Sequence, residues 1–220
     1  MFIVLIGPPG SGKGTQSESL AKELNLPYIS VGNIFRKMVE AKNEEGLLIN
    51  EYMSQGKLAP ASLVNKTVEK FLLLEEYKNG CVLDGYPRNL EQALFFNNFA
   101  NKIEKEKNIK VIYFAVDDQI IINRLQCRFN CANCGAIYNK HYIKPKVENV
   151  CDVCGSNNFS FRQDDDTQTI KRRIEEYNVE TLPVINYYKQ QGELYTIDAG
   201  QNKDIVESDL RNIRLKYLEN

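Results

Sequence analysis

Short apolar runs punctuate the chain at 2–6 (FIVLI), 81–83 (CVL), 111–116 (VIYFAV) and 194–197 (LYTI), with a shorter one near 28–31. Longer segments of helical character separate them, and that alternation predicts an α/β fold, a parallel five-stranded sheet flanked by helices. The helical patterns cover roughly 13–24, 34–42, 61–77, 89–105, 118–127, 167–190 and 203–217, with Pro60 suited to a helix start and Gly192 to an end. Two stretches break the rhythm. Residues 30–59 are mostly polar and helical, and residues 128–161 carry four cysteines, two glycines and little helical periodicity. Both read as insertions over one edge of a core made of 1–29, 60–127 and 162–220, with no repeat and no low-complexity linker.

Composition narrows the function classes. The 220 residues are 43% hydrophobic and 26% charged, enough for one sizeable core with an insertion or two. Lys and Arg total 28 against 29 Asp and Glu, so no overall basic surplus favours nucleic acid or an anionic membrane as partner. The opening run Met1 to Ile6 stops at Gly7, too short for a signal-peptide core or a membrane span, and the chain reads as cytosolic.

Residues 7–15 read Gly7-Pro8-Pro9-Gly10-Ser11-Gly12-Lys13-Gly14-Thr15, directly after the first apolar run and before a helical pattern. That is the context of a phosphate-binding loop (P-loop), in which backbone N–H groups turn toward phosphates and the helix presents the positive end of its dipole. Lys13 is placed to reach the terminal phosphates. The general pattern puts Ser or Thr straight after the lysine, whereas here Gly14 intervenes and the hydroxyl belongs to Thr15. A glycine-rich turn without a ligand is the competing reading, and the coincidence of strand, spacing, lysine and helix weighs against it.

Asp84 ends an apolar run, which places its carboxylate at the carboxyl edge of the sheet, where open α/β folds bind ligands. A magnesium-water ligand and a helix-capping Asp are compatible roles there. Cys131-x2-Cys134 and Cys151-x2-Cys154 match the spacing of a four-thiolate structural zinc site, a disulfide or redox pair being the other reading. Gly135 and Gly155 follow the second cysteine of each pair and permit turns that aim N–H groups at sulfur. Cys81 and Cys127 fall outside the pattern and read as small buried residues, and His141 as a surface residue of the insertion.

GPPGSGKGTQ at 7–16, Leu83-Asp84-Gly85-Tyr86-Pro87-Arg88, and Arg162-Gln163-Asp164-Asp165 occur in the order seen in adenylate kinases, over nearly the whole chain. The sequence resembles that family, in particular the bacterial members with a long zinc-bearing lid. The resemblance implies a P-loop NTPase-type sheet, a helical insertion at 30–59 that binds the nucleoside monophosphate, and a lid at 128–161. It implies transfer of a phosphoryl group from MgATP to AMP, with structural Zn2+ in the lid, Mg2+ carried with ATP, and a monomer. Gly10, Ser11, Gly12, Lys13, Gly14 and Thr15 would cradle ATP, with Arg124, Arg128, Ile137, Tyr138 and Gln201 beside it. Arg36 and Arg88 would bind the AMP phosphate, Gln92 the acceptor base, Lys57, Leu58 and Ala59 the wall around it, and Gly85, Tyr86 and Pro87 the turn beneath. Arg162 and Arg173 would reach across the transferring phosphate from the lid side. Asp164 and Asp165 follow Arg162 at an expected lid hinge, where they read either as partners that orient the lid arginines or as an acidic helix start. One departure stands out: Val31 and Asn33 occupy acceptor positions where these kinases commonly have Thr and Asp, so a hydroxyl and a carboxylate are missing.

Two rivals remain at this level. One is a kinase of the same class with another base preference, either GTP-using or accepting CMP or UMP, and the long lid and Gln92 speak against the pyrimidine option. The other is a nucleotide sensor whose cysteine ribbon binds nucleic acid, which predicts a basic ribbon that segment 131–161 does not supply.

Overall fold

The computed structural model describes residues 1–103 and 108–218. Residues 104–107 and 219–220, which include the end of the helix expected over 89–105 and parts of the expected core segments, lie outside the described residues. Five strands, β1 (Phe2–Ile6), β2 (Tyr28–Ser30), β3 (Cys81–Asp84), β4 (Ile109–Ala115) and the last strand of the chain, β8 (Leu194–Asp198), form one parallel sheet in the order β2-β3-β1-β4-β8. β1 is central and buried on both faces. Its even residues Phe2, Val4 and Ile6 pack against α4 (Ala61–Leu72), α5 (Leu90–Ile103) and α8 (Leu182–Gln190), while Ile3 and Leu5 face α1 (Lys13–Glu23) and α9 (Lys203–Ile213). The twofold alternation of a strand thus divides one apolar run between two cores.

The register Leu5↔Asp84 and Ser30↔Asp84 brings the ends of β1, β2 and β3 level at the carboxyl edge, directly below the loop that starts at Gly7. Above that edge lie two further bodies. α2 (Val31–Glu40) and α3 (Glu44–Ser54) pack against each other so closely that a Cβ on Gly46 would sit 2.0 Å from the Met38 carbonyl oxygen. The second body is a three-stranded antiparallel ribbon of β5 (Arg128–Cys131), β6 (Ile137–Asn139) and β7 (Phe159–Ser160), which follows α6 (Asp118–Gln126).

Differences from the sequence reading have local causes. α2 begins at Val31 instead of 34 because the Ser30 hydroxyl caps it, accepting from the Asn33 N–H. α3 is unforeseen as a separate helix: Asn43 starts it by accepting from the Gly46 N–H, and it leaves Leu47 and Leu48 exposed, so its periodicity is weak. The pattern over 61–77 breaks at Leu74, whose extended backbone separates α4 from a short turn at Glu75–Tyr77. The stretch 167–190 consists of α7 (Thr167–Glu176) and α8, joined by a π-helical turn at Tyr177–Thr181. Pro183 explains the joint, since it donates no hydrogen bond and its ring crowds the preceding turn.

Candidate active site

An open cleft of about 1070 Å³, solvent included, separates the sheet edge from α2 and α3. Lys13, at the start of α1, lines its floor. The Lys13 ammonium donates to the carbonyl oxygens of Gly7 (2.5 Å) and Pro8 (2.9 Å) and to Ser11 Oγ (3.0 Å), so the loop orders its own lysine. Burial, with nearby arginines adding to it and Asp84 opposing, brings the Lys13 pKa down to about 7. A Cβ on Gly14 would lie 3.4 Å from Ile137 of the ribbon and 3.7 Å from Asp84 Oδ2, so all three meet above the loop. Asp84 is half-buried and accepts from the Tyr28 hydroxyl at 3.1 Å; no capping bond from its side chain accompanies this among the described contacts.

On the opposite wall the cleft is lined by Val31, Arg36, Lys57, Leu58, Ala59 and Gln92, with Gly85, Pro87 and Arg88 from the turn after β3. Tyr86 is turned inward: it is 1% exposed, its hydroxyl donates to Asn65, and its ring meets Phe96 edge-on. Asn33 accepts from the Arg36 guanidinium, so the unusual asparagine serves as that arginine's holder. Arg88 is steadied by its Nε donating to the Gly85 carbonyl (2.9 Å) and by its backbone N–H donating to Gln92 Oε1 (2.7 Å). The latter bond uses one of the two lone pairs on Gln92 Oε1 and fixes the amide plane.

The lid-side cations are held by two carboxylates. Arg128 makes a bidentate pair with Asp165 (2.6 and 2.7 Å), and Arg173 reaches both Asp164 (2.9 Å) and Asp165 (3.0 Å). These side chains are mostly buried, 6% exposed for Asp165 and 12% for Arg128, so solvent screens the pairs little. Arg162 donates to Asn130 Oδ1 (3.2 Å), and burial beside Arg128 and Arg36 brings its pKa down to about 9. With Lys13, Arg36 and Arg88 in the same field, the cations exceed the carboxylates Asp84, Asp164 and Asp165, an arrangement that binds polyanions. Arg124 stands apart. Its guanidinium donates to the carbonyls of Ala199, Gly200 and Gln201, tying α6 to the loop after β8.

In the ribbon the Sγ atoms of Cys131, Cys134, Cys151 and Cys154 lie within 4.8 Å of one another, with 3.6 Å between Cys131 and Cys154 and 3.5 Å between Cys134 and Cys151. A tetrahedron of Zn–S bonds of about 2.3 Å has edges of roughly 3.8 Å, so the donor set fits that ion. The glycines act indirectly. Gly135 and Gly155 have φ of 77° and 71° and donate to the carbonyls of Cys131 and Cys151, not to sulfur. That turn aims the next N–H, of Ala136 or Ser156, at the sulfur of Cys134 or Cys154. The Tyr138 hydroxyl contacts Cys151 Sγ at 3.4 Å and is the main cause of a Cys151 pKa lowered to about 6. Tyr138 is 3% exposed and packs between Phe129 and Phe159. Cys81 is buried, with its thiol pushed up to about 12 by burial, Cys127 is half-buried, and His141 is exposed.

Comparison with known proteins bears directly on this arrangement. The sequence model of the family described as "Adenylate kinase" matches residues 5–193, most of the chain. The chain belongs to the adenylate kinase family. Curated relatives named "Adenylate kinase" from Rickettsia conorii and Rickettsia africae are each 49% identical over 213 residues, 97% of this chain and 98% of the relative. A third, from Rickettsia prowazekii, is 48% identical over the same span. No helix among the described residues is long and apolar enough to cross a membrane.

Several contacts that organise this adenylate kinase site were not foreseen. Tyr28 holds Asp84 across 56 positions, Glu176 accepts from the Leu58 N–H (2.9 Å) across 118, and Thr181 donates to the Arg88 carbonyl (2.8 Å) across 93. No local motif marks such partners, because the sheet order and the path of α7 and α8 bring them together.

The Lys13 environment predicts a proton linkage. Free Lys13 loses its proton as pH rises through about 7. Nucleotide phosphates bound beside it would stabilise the ammonium and raise that pKa, so MgATP binding there is expected to take up a proton above pH 7 and almost none at pH 6. Calorimetry at pH 8 in buffers of different ionisation enthalpy is expected to show an uptake approaching one proton. Zero uptake at pH 8 would contradict the lowered pKa.

Proposed function

We propose that the chain transfers the terminal phosphoryl group of MgATP to AMP, reversibly, giving two ADP, and so balances adenine nucleotides as a monomer in the cytosol. The observation that carries this is the convergence of Lys13, the acceptor-side pair Arg36 and Arg88, and the lid-side pair Arg128 and Arg173 around one cleft. Phosphoryl transfer needs in-line placement and positive charge around the moving group more than covalent chemistry. In this reading Gly10 to Thr15 cradle ATP, with Lys13 on its terminal phosphates and Asp84 ordering water on the accompanying magnesium. Arg124, Ile137 and Gln201 flank the donor nucleotide, while the Tyr138 side chain, expected there too, is buried in the ribbon core and supports the lid from within. Arg36 and Arg88 take the AMP phosphate, Gln92 and the 57–59 wall take its base, and Arg128, Arg162 and Arg173 gather charge on the transferring group. No general base is required, because the acceptor is already an ionised phosphate.

Residues 30–59 and 128–161 act as closing insertions on the remaining core. The four cysteines hold zinc, which supplies no chemistry with four protein ligands filling its shell and stabilises a ribbon too small to fold unaided. Closure excludes water, which would otherwise compete for the phosphoryl group.

Gln92 favours adenine as acceptor base. In this reading its Nε2 donor suits the acceptor nitrogen N1 of adenine and meets a donor N–H on guanine. Purified protein supplied with MgATP and AMP, GMP, CMP or UMP in turn is expected to show kcat/KM for AMP at least about 100-fold above the others. Equal use of a pyrimidine monophosphate would overturn the assignment of the acceptor base.

A further inference from the structure

Thr181 ends the π-helical turn between α7 and α8 and is 4% exposed. A threonine inside a helix ordinarily returns its hydroxyl bond to the carbonyl four residues earlier, here that of Tyr177. In this turn the Tyr177 carbonyl accepts the Leu182 N–H instead. The Thr181 hydroxyl leaves its own helix and donates to the Arg88 carbonyl at 2.8 Å, in the loop between β3 and α5. Pro183 accounts for the widened turn, and the widened turn accounts for where Thr181 points.

The contact completes the clamp on one residue. Arg88 is held at its backbone N–H by Gln92, at its side-chain Nε by the Gly85 carbonyl, and at its carbonyl by Thr181. The first two holders belong to the same β3-to-α5 segment and move with it. Among the described hydrogen bonds, Thr181 is the one that ties Arg88 to the α7–α8 rod, whose α7 also carries Arg173 and, through Glu176, grips the Leu58 N–H. We propose that Thr181 is a positioning residue for the acceptor: its hydroxyl, turned outward by the π-helical turn, fixes the Arg88 backbone so that the guanidinium meets the AMP phosphate. This inference rests on the reading of Arg88 as an AMP-phosphate residue.

Thr181→Val keeps the shape and deletes the donor, leaving a carbonyl without its bond, and Thr181→Ser keeps the donor. With the full chain, Thr181→Val is expected to raise KM for AMP about 10-fold, with KM for MgATP changed less than about 2-fold and Thr181→Ser close to wild type. Thr181→Ala provides the same test should the valine variant fold poorly, and thermal midpoints compare the three. The decisive arm is the same substitution in an Arg88→Ala background. A positioning role predicts that Thr181→Val, or Thr181→Ala, then adds less than about 2-fold, because its effect passes through the missing guanidinium. An equal factor in both backgrounds, or a Thr181→Ser variant as impaired as the valine one, overturns the proposal. An Arg88→Ala variant with unchanged KM for AMP overturns instead the reading of Arg88 on which it rests.

Discussion

Lys13→Met is expected to lower kcat by about 10³-fold while leaving the thermal midpoint within a few degrees of wild type. A preorganised cation at the phosphates of a phosphoryl transfer acts most strongly where charge shifts in the transition state, and removing one such group costs about 10²- to 10³-fold. Lys13 belongs at the upper end because its ammonium is ordered by three loop oxygens before any ligand arrives. Stability is expected to change little, since a partly desolvated ammonium is exchanged for an apolar chain of similar length and the loop carbonyls can take water from the open cleft. Steady-state kinetics with a melting curve on the same preparation checks both halves. A loss under 10-fold would mean that the arginines alone stabilise the transferring group.

The second large effect concerns the zinc proposed for the four cysteines. Cys151→Ser, or extraction of the ion by a strong chelator, is expected to lower the thermal midpoint by about 10 °C and kcat by about 10²-fold. The ribbon's own packing is slight, a cluster of Phe129, Tyr138 and Phe159 around the cysteines on three short strands. Without the metal those strands lose the cross-link that joins the two knuckles. Arg128 begins β5 and Arg162 follows β7, so both depend on ribbon geometry for their place over the cleft. Metal content per chain, melting and kcat measured in parallel would show the three falling together. A metal-free protein with unchanged melting and turnover would remove zinc from the account.

Much of this architecture was legible because its signals are local. An apolar run followed by a glycine-rich loop and a helix is a strand, a cradle and a dipole in fixed sequence, and β1 with α1 takes that form. Two cysteine pairs with glycine after each encode a thiolate cluster in the same way, and the four sulfurs do converge. The arginines were legible as a class, and Asp164 and Asp165 as carboxylates to pair with them, as Arg128 and Arg173 do. Which arginine each carboxylate takes was not legible, nor was Asn33 as the holder of Arg36 three residues away. α3 escaped because a helix lying over a cleft buries only one narrow stripe, leaving no clear period. The π-helical turn escaped because a single added residue per turn barely disturbs the apolar spacing on either side of Pro183.

Asn33 bears on how the acceptor is held. A neutral amide accepts one hydrogen bond from Arg36 without neutralising it, so the guanidinium keeps its full charge for an anion. Val31, 2% exposed, contributes packing to that wall and no polar contact. In the proposed reading, the missing carboxylate and hydroxyl leave an acceptor side that relies on Arg36, Arg88 and Gln92.

Phosphorus NMR of the purified protein with MgATP and AMP distinguishes transfer to AMP from hydrolysis directly. Two ADP are expected for each ATP consumed, without inorganic phosphate, with the same equilibrium mixture reached from ADP. Release of inorganic phosphate with AMP unconsumed, or no change in either nucleotide, would contradict transfer to AMP.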